Sequence, residues 1–141
     1  MSDDEQRRRF EAAYRATTYA VALPGGVVAL RVGGTHSALD AFLAAAGATS
    51  WAFVSAWNPR SAPLPAEENA TRQRALVAAV GALGLAAFPG VGRGDDGSPP
   101  EESLLIAGIT RDAAGALGER FSQNAVVFGE LGRPAELLWL D

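Results

Sequence analysis

The sequence predicts an α+β domain with α/β-like features: a mixed β-sheet of about five to seven strands, three main helices and a short helix at the N-terminus. Short runs of strand length that are apolar on both faces, at 50–57 and 103–109, have the pattern of covered central strands. Longer stretches with helical periodicity, chiefly 66–83, alternate with them. Glycine and proline clusters mark the boundaries.

Taken in order, residues 3–15 form a charged segment with Phe10 and Tyr14 four apart, the spacing of one helical edge. Arg7-Arg8-Arg9 is flanked by Asp3, Asp4, Glu5 and Glu11, which reads as a solvated face. Segments 18–23 and 27–32 make a hairpin about Pro24-Gly25-Gly26. Ser37 caps a helix over 38–46, with Asp40 three residues on and Gly47 ending it. Strand 50–57 follows, so 27–57 reads as a β-α-β unit with parallel strands and a right-handed connection. The prolines of 58–65 make that loop a stiff ledge. Helix 66–83 starts at Pro65 with Glu67 and Glu68 near its positive end. Residues 85–89 form a short strand, and 90–100 is loop, either a lid or a surface excursion. Strand 103–109, a Thr110-capped helix to about 121, and strands 125–128 and 136–140 complete the chain. The organisation expected is a charged segment at 1–13 and one globular domain at 14–141.

Composition excludes several chemistries. The chain has 141 residues, 48% of them hydrophobic and 20% charged, enough to bury one core without staples. It holds no cysteine, so thiolate ligands, thiol nucleophiles and disulfides are ruled out. All 12 basic residues are arginine, which removes Schiff-base and P-loop lysine chemistry. A net charge of −4 argues against non-specific nucleic-acid binding. His36 is the only imidazole, so neither a zinc site nor a Ser-His triad is expected. The glycines before it match neither dinucleotide nor P-loop spacing. No metal or cofactor is expected. No apolar run resembles a signal peptide or a membrane span, so a cytoplasmic location is the expectation.

The polar motif Trp57-Asn58-Pro59, followed by Glu67-Glu68-Asn69-x-x-Arg72, places the candidate site. At 100° per residue Leu76, Val80 and Leu83 align, with Val77 at the margin, and the same line runs back to Asn69. Arg72 and Gln73 flank it, and Glu68 lies beyond Arg72. The inward stripe therefore turns polar beside the carboxyl end of a central strand, where α/β sheets place ligands. Ser103 and Gln123 are candidates to join it. Glu102 is the candidate general base, without independent support, and a meeting of Glu102 with Arg72 would complete the pocket. A structural role is the alternative throughout: Asn58 as a turn former, Arg72 in an ion pair, Asn124 as a helix terminator.

Ala56-Trp57-Asn58-Pro59, Glu68-Asn69-x-x-Arg72, the glycine-rich run leading to Glu102-Ser103-Leu104, and Phe121-x-Gln123-x-Ala125 resemble, in order and spacing, the bacterial domain-of-unknown-function 3293 family. The resemblance spans about 14–138. It implies a small bacterial protein, usually of one domain, with no established activity or cofactor. An aromatic residue often precedes the acidic-Ser pair in that pattern, whereas Pro99-Pro100 lies upstream here.

Two functions compete. The first is a pocket for a small polar or anionic ligand bound by Asn58, Glu68, Asn69, Arg72, Ser103 and Gln123, with Arg72 as anion anchor and 90–100 as lid. It expects Arg72→Ala to abolish ligand-dependent stabilisation at little cost in intrinsic stability. The second is a protein-interaction or regulatory module in which the motifs are a structural network and Phe10, Tyr14 and Trp139 form a contact patch. Nucleic acid and membrane are not the expected partners.

Overall fold

The computed structural model describes residues 2–140; Met1 and Asp141, the outer ends of the expected segments 1–13 and 14–141, lie outside the described residues. Helix α1 (Asp3–Arg15) starts at Ser2, whose hydroxyl accepts from Glu5 N. Strands β1 (Thr17–Leu23) and β2 (Gly26–Leu30) form the expected hairpin, with Leu23 opposite Gly26. Helix α2 (Ser37–Ala45) begins at Ser37 itself, and no side chain caps it: His36 takes the cap position but spends Nε2 accepting from Arg31 N. There follow β3 (Ser50–Ser55), α3 (Ala66–Ala82), β4 (Ala87–Gly94), β5 (Glu101–Ala107), α4 (Arg111–Arg120), β6 (Ala125–Glu130) and β7 (Glu136–Trp139). Thr110 caps α4 as expected, accepting from Ala113 N.

The seven strands form one sheet in the order β2-β1-β4-β5-β3-β6-β7, and every neighbouring pair is antiparallel. The expected parallel β-α-β pairing of 27–32 with 50–57 is therefore not formed. β1, β4 and β5 lie between those strands. The reason lies in 85–100. Instead of a short strand and a long lid, Ala87–Gly94 is one eight-residue strand that pairs on both sides. Its ladder to β1 stops at Gly90, next to Pro89, which has no N–H to contribute. Only 95–100 remains to connect it to β5.

The sheet curls so far that its edges meet. Gly33 N donates to Ala135 O at 2.7 Å and Ala135 N to Gly34 O at 2.9 Å, linking the end of β2 to the start of β7. Side chains alternate between the two faces. The outer face carries Ala52, Val54, Leu104, Ile106, Val126 and Phe128, packed against Leu76 and Val80 of α3 and Ala114 and Leu117 of α4. The inner face carries Tyr19, Val21, Trp51, Phe53, Leu105 and Val127, and α2 fills one end of it with Leu39 and Leu43. Leu83, expected on the buried stripe of the third helix, sits just past its end and is 51% exposed; Val77 is exposed to the same degree.

Glycines make room for large rings on the inner face. A Cβ on Gly129 would overlap the Trp51 indole, and one on Gly90 would lie 2.5 Å from Phe53 Cε2. Both rings are buried, Trp51 at 2% and Phe53 at 4% exposure, so neither can swing away cheaply. Gly90→Ala is expected to lower unfolding stability by about 1–3 kcal/mol in urea titration, the usual cost of overpacking. An unchanged midpoint would show that Phe53 is not confined there.

Candidate functional site: a cavity at the open end of the curled sheet

The motif residues form a polar junction between the end of β3 and the start of α3. Asn58 N donates to Asn69 Oδ1 at 2.9 Å, and Asn69 Nδ2 donates back to Asn58 Oδ1 at 2.8 Å. Asn58 Oδ1 also accepts from Leu64 N, and Asn69 Nδ2 also reaches Leu64 O. Asn69 is 2% exposed, and this reciprocal pairing satisfies its amide. The loop it holds is strained: Asn58, Arg60 and Ser61 all take positive φ, at 46°, 52° and 63°. Ser122, at φ 56°, faces it from the α4–β6 connection. Arg60 N donates to Ser122 O, Arg60 Nη1 to Gln123 O and Asn124 Nδ2 to Ser61 Oγ, so each left-handed loop braces the other.

Arg72 belongs to this brace. Its Nε donates to Ala56 O at 2.5 Å and its Nη2 to Phe121 O, so one guanidinium joins the β3 exit to the end of α4. It forms no salt bridge among the described residues, and the proposed contact with Glu102 is absent there. Glu102 is exposed, on the parity of Leu104 and Ile106 that faces the helices. Glu68 is exposed as well. Gln73 Nε2 donates to Ser103 O at 3.3 Å from the same helix.

The cavity lies on the other face of the sheet. It measures about 260 Å³ and opens where β3 and β4 end and β1, β5 and β6 begin, beneath α1. Of the six ligand candidates, Asn58, Ser103 and Gln123 line it, whereas Glu68, Asn69 and Arg72 do not. The carboxylate beside them is Glu101, not Glu102. Asn58 Nδ2 donates to Glu101 Oε1 at 2.7 Å, so the junction with α3 ends, through one side chain, in the cavity. Gln123 is 7% exposed and donates to Trp57 O and Phe121 O, which fixes the β6 wall. Ser103 Oγ donates to Glu101 O at 3.3 Å.

The floor is glycine. Gly92 and Gly94 face inward on β4 and leave the space that side chains would take. The roof is aromatic, formed by Phe10 and Tyr14 of α1. Tyr14 meets Trp139 edge-on at 5.9 Å, Arg7 lies 5.1 Å from the centre of the Trp139 ring, and Tyr19 Oη donates to Tyr14 O. The expected contact patch of Phe10, Tyr14 and Trp139 is thus partly buried and engaged with the domain's own residues. No residue of α1 is buried, so the helix is held over the cavity mainly by these contacts.

Burial pushes the Glu101 carboxyl above its ordinary value of 4.5, against the Asn58 hydrogen bond that pulls it down. Tyr14 is pushed up to about 12, first by burial and also by Glu101, with a hydrogen bond involving the Ala125 backbone opposing. Burial also raises Tyr19, so both phenols stay protonated at neutral pH. Burial lowers His36 against the pull of Asp40, and it lies outside the cavity lining. Among the described residues no group of three His, Asp or Glu side chains is placed to hold a metal ion.

Domains of this kind, an antiparallel sheet curled over a cavity with helices packed outside, define a fold without defining a reaction. The family model for proteins of unknown function DUF3293 matches residues 54–126, just over half the chain, and the chain belongs to that family. The match runs from β3 through the junction, β4 and β5 to the β6 wall. No curated protein and no solved structure matches the chain. No helix among the described residues is long and apolar enough to cross a membrane.

Sequence reasoning missed Glu101, the aromatic roof and the glycine floor. Period-two glycines at 90, 92 and 94 are the available signal, since one face of a strand is then stripped of side chains. Arg72→Ala is expected to destabilise the fold by about 2–4 kcal/mol, because two inward carbonyls lose a charged donor. A loss under about 0.5 kcal/mol in denaturant titration would show that those bonds are replaceable. For Glu101 the sign is opposite. A carboxyl whose folded value is raised gives the native state more bound protons than the unfolded chain, so stability falls as pH rises through and above 4.5. Glu101→Gln is therefore expected to melt higher than the wild type at pH 7, with the gap closing toward pH 4. A lower melting temperature at pH 7 would contradict this.

Proposed function

We propose that the protein binds a small polar ligand in the cavity beneath α1, at the Trp57-Asn58-Pro59 end of β3. The start of α3 supports the site without touching the ligand. The observation that carries this reading is the juxtaposition of a glycine floor with a carboxylate positioned by an amide that the chain holds in place. A strand that omits side chains over a partly buried, oriented Glu101 gives up packing energy, and ligand contacts can return it. The strained loops at 58–61 and 122 border the same cavity, and left-handed non-glycine residues concentrate at such sites.

The ligand contacts come from Asn58, Glu101, Ser103 and Gln123. Asn69 and Arg72 act one step behind them as positioning residues, so the structural reading of those two is compatible with a binding function. The anionic alternative loses its anchor, because Arg72 is committed to backbone carbonyls. Nothing in the cavity wall calls for catalysis, and binding is the whole of the proposal.

The test is to fill the space. A Cβ at Gly92 meets only Thr17 and Tyr19 at an ordinary 3.7 Å, so Gly92→Val should fold while its methyls enter the cavity. A small-metabolite panel screened by thermal shift is expected to give wild-type hits of up to about 2.7 kcal/mol at a hundredfold excess over Kd. The same hits should be lost in Gly92→Val. Hits that survive this substitution would place the ligand elsewhere and end the reading.

A further inference from the structure

The charge inventory of the cavity narrows the ligand class, given the binding reading above on which this inference rests. We infer that the occupant is a small organic cation, an amine or a quaternary ammonium, held between Glu101 and the aromatic walls. Three carboxylates line the cavity, Asp95, Asp96 and Glu101, and no arginine or histidine does. Two of the three, Asp95 and Asp96, are exposed. Asp95 pairs with Arg31 at 3.0 Å, and Asp96 accepts from the backbone and hydroxyl of Ser98.

Glu101 is the exception. It is half-buried, its partner Asn58 is neutral, and it joins no salt bridge among the described residues. Asn58 bonds one carboxylate oxygen, and among the described residues the other has no hydrogen-bond donor. A carboxylate taken partly out of water without a counter-charge is costly, and a ligand ammonium would supply that charge where the protein does not. The protein instead orients the group: Asn58 cannot turn away, because Asn69 and Leu64 hold its other polar atoms.

The rest of the wall suits the carbon part of such a ligand. Phe10, Tyr14, Tyr19, Phe53 and Trp57 all line this one cavity. Tyr19 and Phe53 meet edge to face at 5.0 Å, which leaves part of each ring free for other contacts. Ring faces attract ammonium groups, most strongly where water is excluded, and they favour a cation over an isosteric alcohol. An anion meets two carboxylates without a salt bridge among the described residues, Asp96 and Glu101. A bare metal ion finds one free carboxylate and no second ligand group of the same kind.

Matched probes separate the cation inference from the pocket reading. Isothermal titration would compare phenethylamine with 2-phenylethanol and phenylacetate, and choline with 3,3-dimethylbutan-1-ol, on wild type, Glu101→Gln and Gly92→Val. At least one amine is expected to bind tenfold or more tightly than its alcohol partner. Glu101→Gln, which keeps an acceptor for Asn58, should erase that difference without weakening the alcohol. Gly92→Val should weaken both. Amine binding should also fall as pH drops and Glu101 takes up its proton, with the probe still charged. If alcohols or phenylacetate bind as well as the amines, and Gly92→Val still removes them, the cation inference fails while the pocket stands. Binding that survives Gly92→Val sinks both. If neither amine binds at millimolar concentration, the cation inference is overturned.

Discussion

Two asparagine side chains hold the middle of this protein together. Asn58 leaves the central strand β3 in a left-handed conformation, and Asn69 lies buried in the first turns of α3. Asn69 accepts from the Asn58 backbone N–H and donates to the Asn58 side-chain oxygen, and between them the two residues also satisfy the Leu64 N–H and carbonyl. A buried amide that loses its partner costs about 1–3 kcal/mol, so the pair behaves as one unit. It sets where α3 starts relative to the sheet, and so where Leu76 and Val80 enter the outer core. It also leaves the Asn58 Nδ2 group available, and that group donates to Glu101 on the opposite face.

That arrangement separates support from contact. Arg72, Asn69 and Gln73 secure the helix side by bonding to carbonyls and amides. Glu101, Ser103 and Gln123 stand on the cavity side, with Asn58 shared between the two. A motif of polar residues can therefore be structural and functional at once. Most of its members carry load, and Asn58 alone reaches from the junction into the cavity. The strain in the loops at 58–61 and 122 is borne by that network, since each loop donates to the other.

Binding energy and stability pull against each other at Glu101. The folded state holds a carboxylate that burial disfavours, and it is stabilised in position by a neutral amide instead of a cation. The glycine floor is a second concession of the same sort, because strand glycines lose backbone entropy and pack nothing. Both lie on the inner face at the same end of the sheet. At the other end that face is filled by α2 and by Trp51, which is packed tightly enough to need a glycine, Gly129, beneath its ring.

Much of the local structure was legible in the chain. The Pro24-Gly25 hairpin, the Thr110 cap, the start of the third helix beside Pro65 and the inward position of Asn69 all follow from turn chemistry and the helical period, which act over a few residues. Sheet order and facing did not follow. The parallel β-α-β reading of 27–57 used only sequence neighbours, whereas the glycine-rich strand 87–94 and its partner 101–107 insert between them through long-range pairing. Glu101 and Glu102 are adjacent and chemically equivalent in sequence, and only the strand's parity decides which one faces the cavity. With β5 apolar on both faces, no alternation marked that parity. By itself the sequence determined most element types, the strand residues 90–94 that it read as loop excepted, together with the excluded chemistries and the polar junction. The tertiary structure decided the cavity face, because one-residue parity and strand order are set by contacts far apart in the chain.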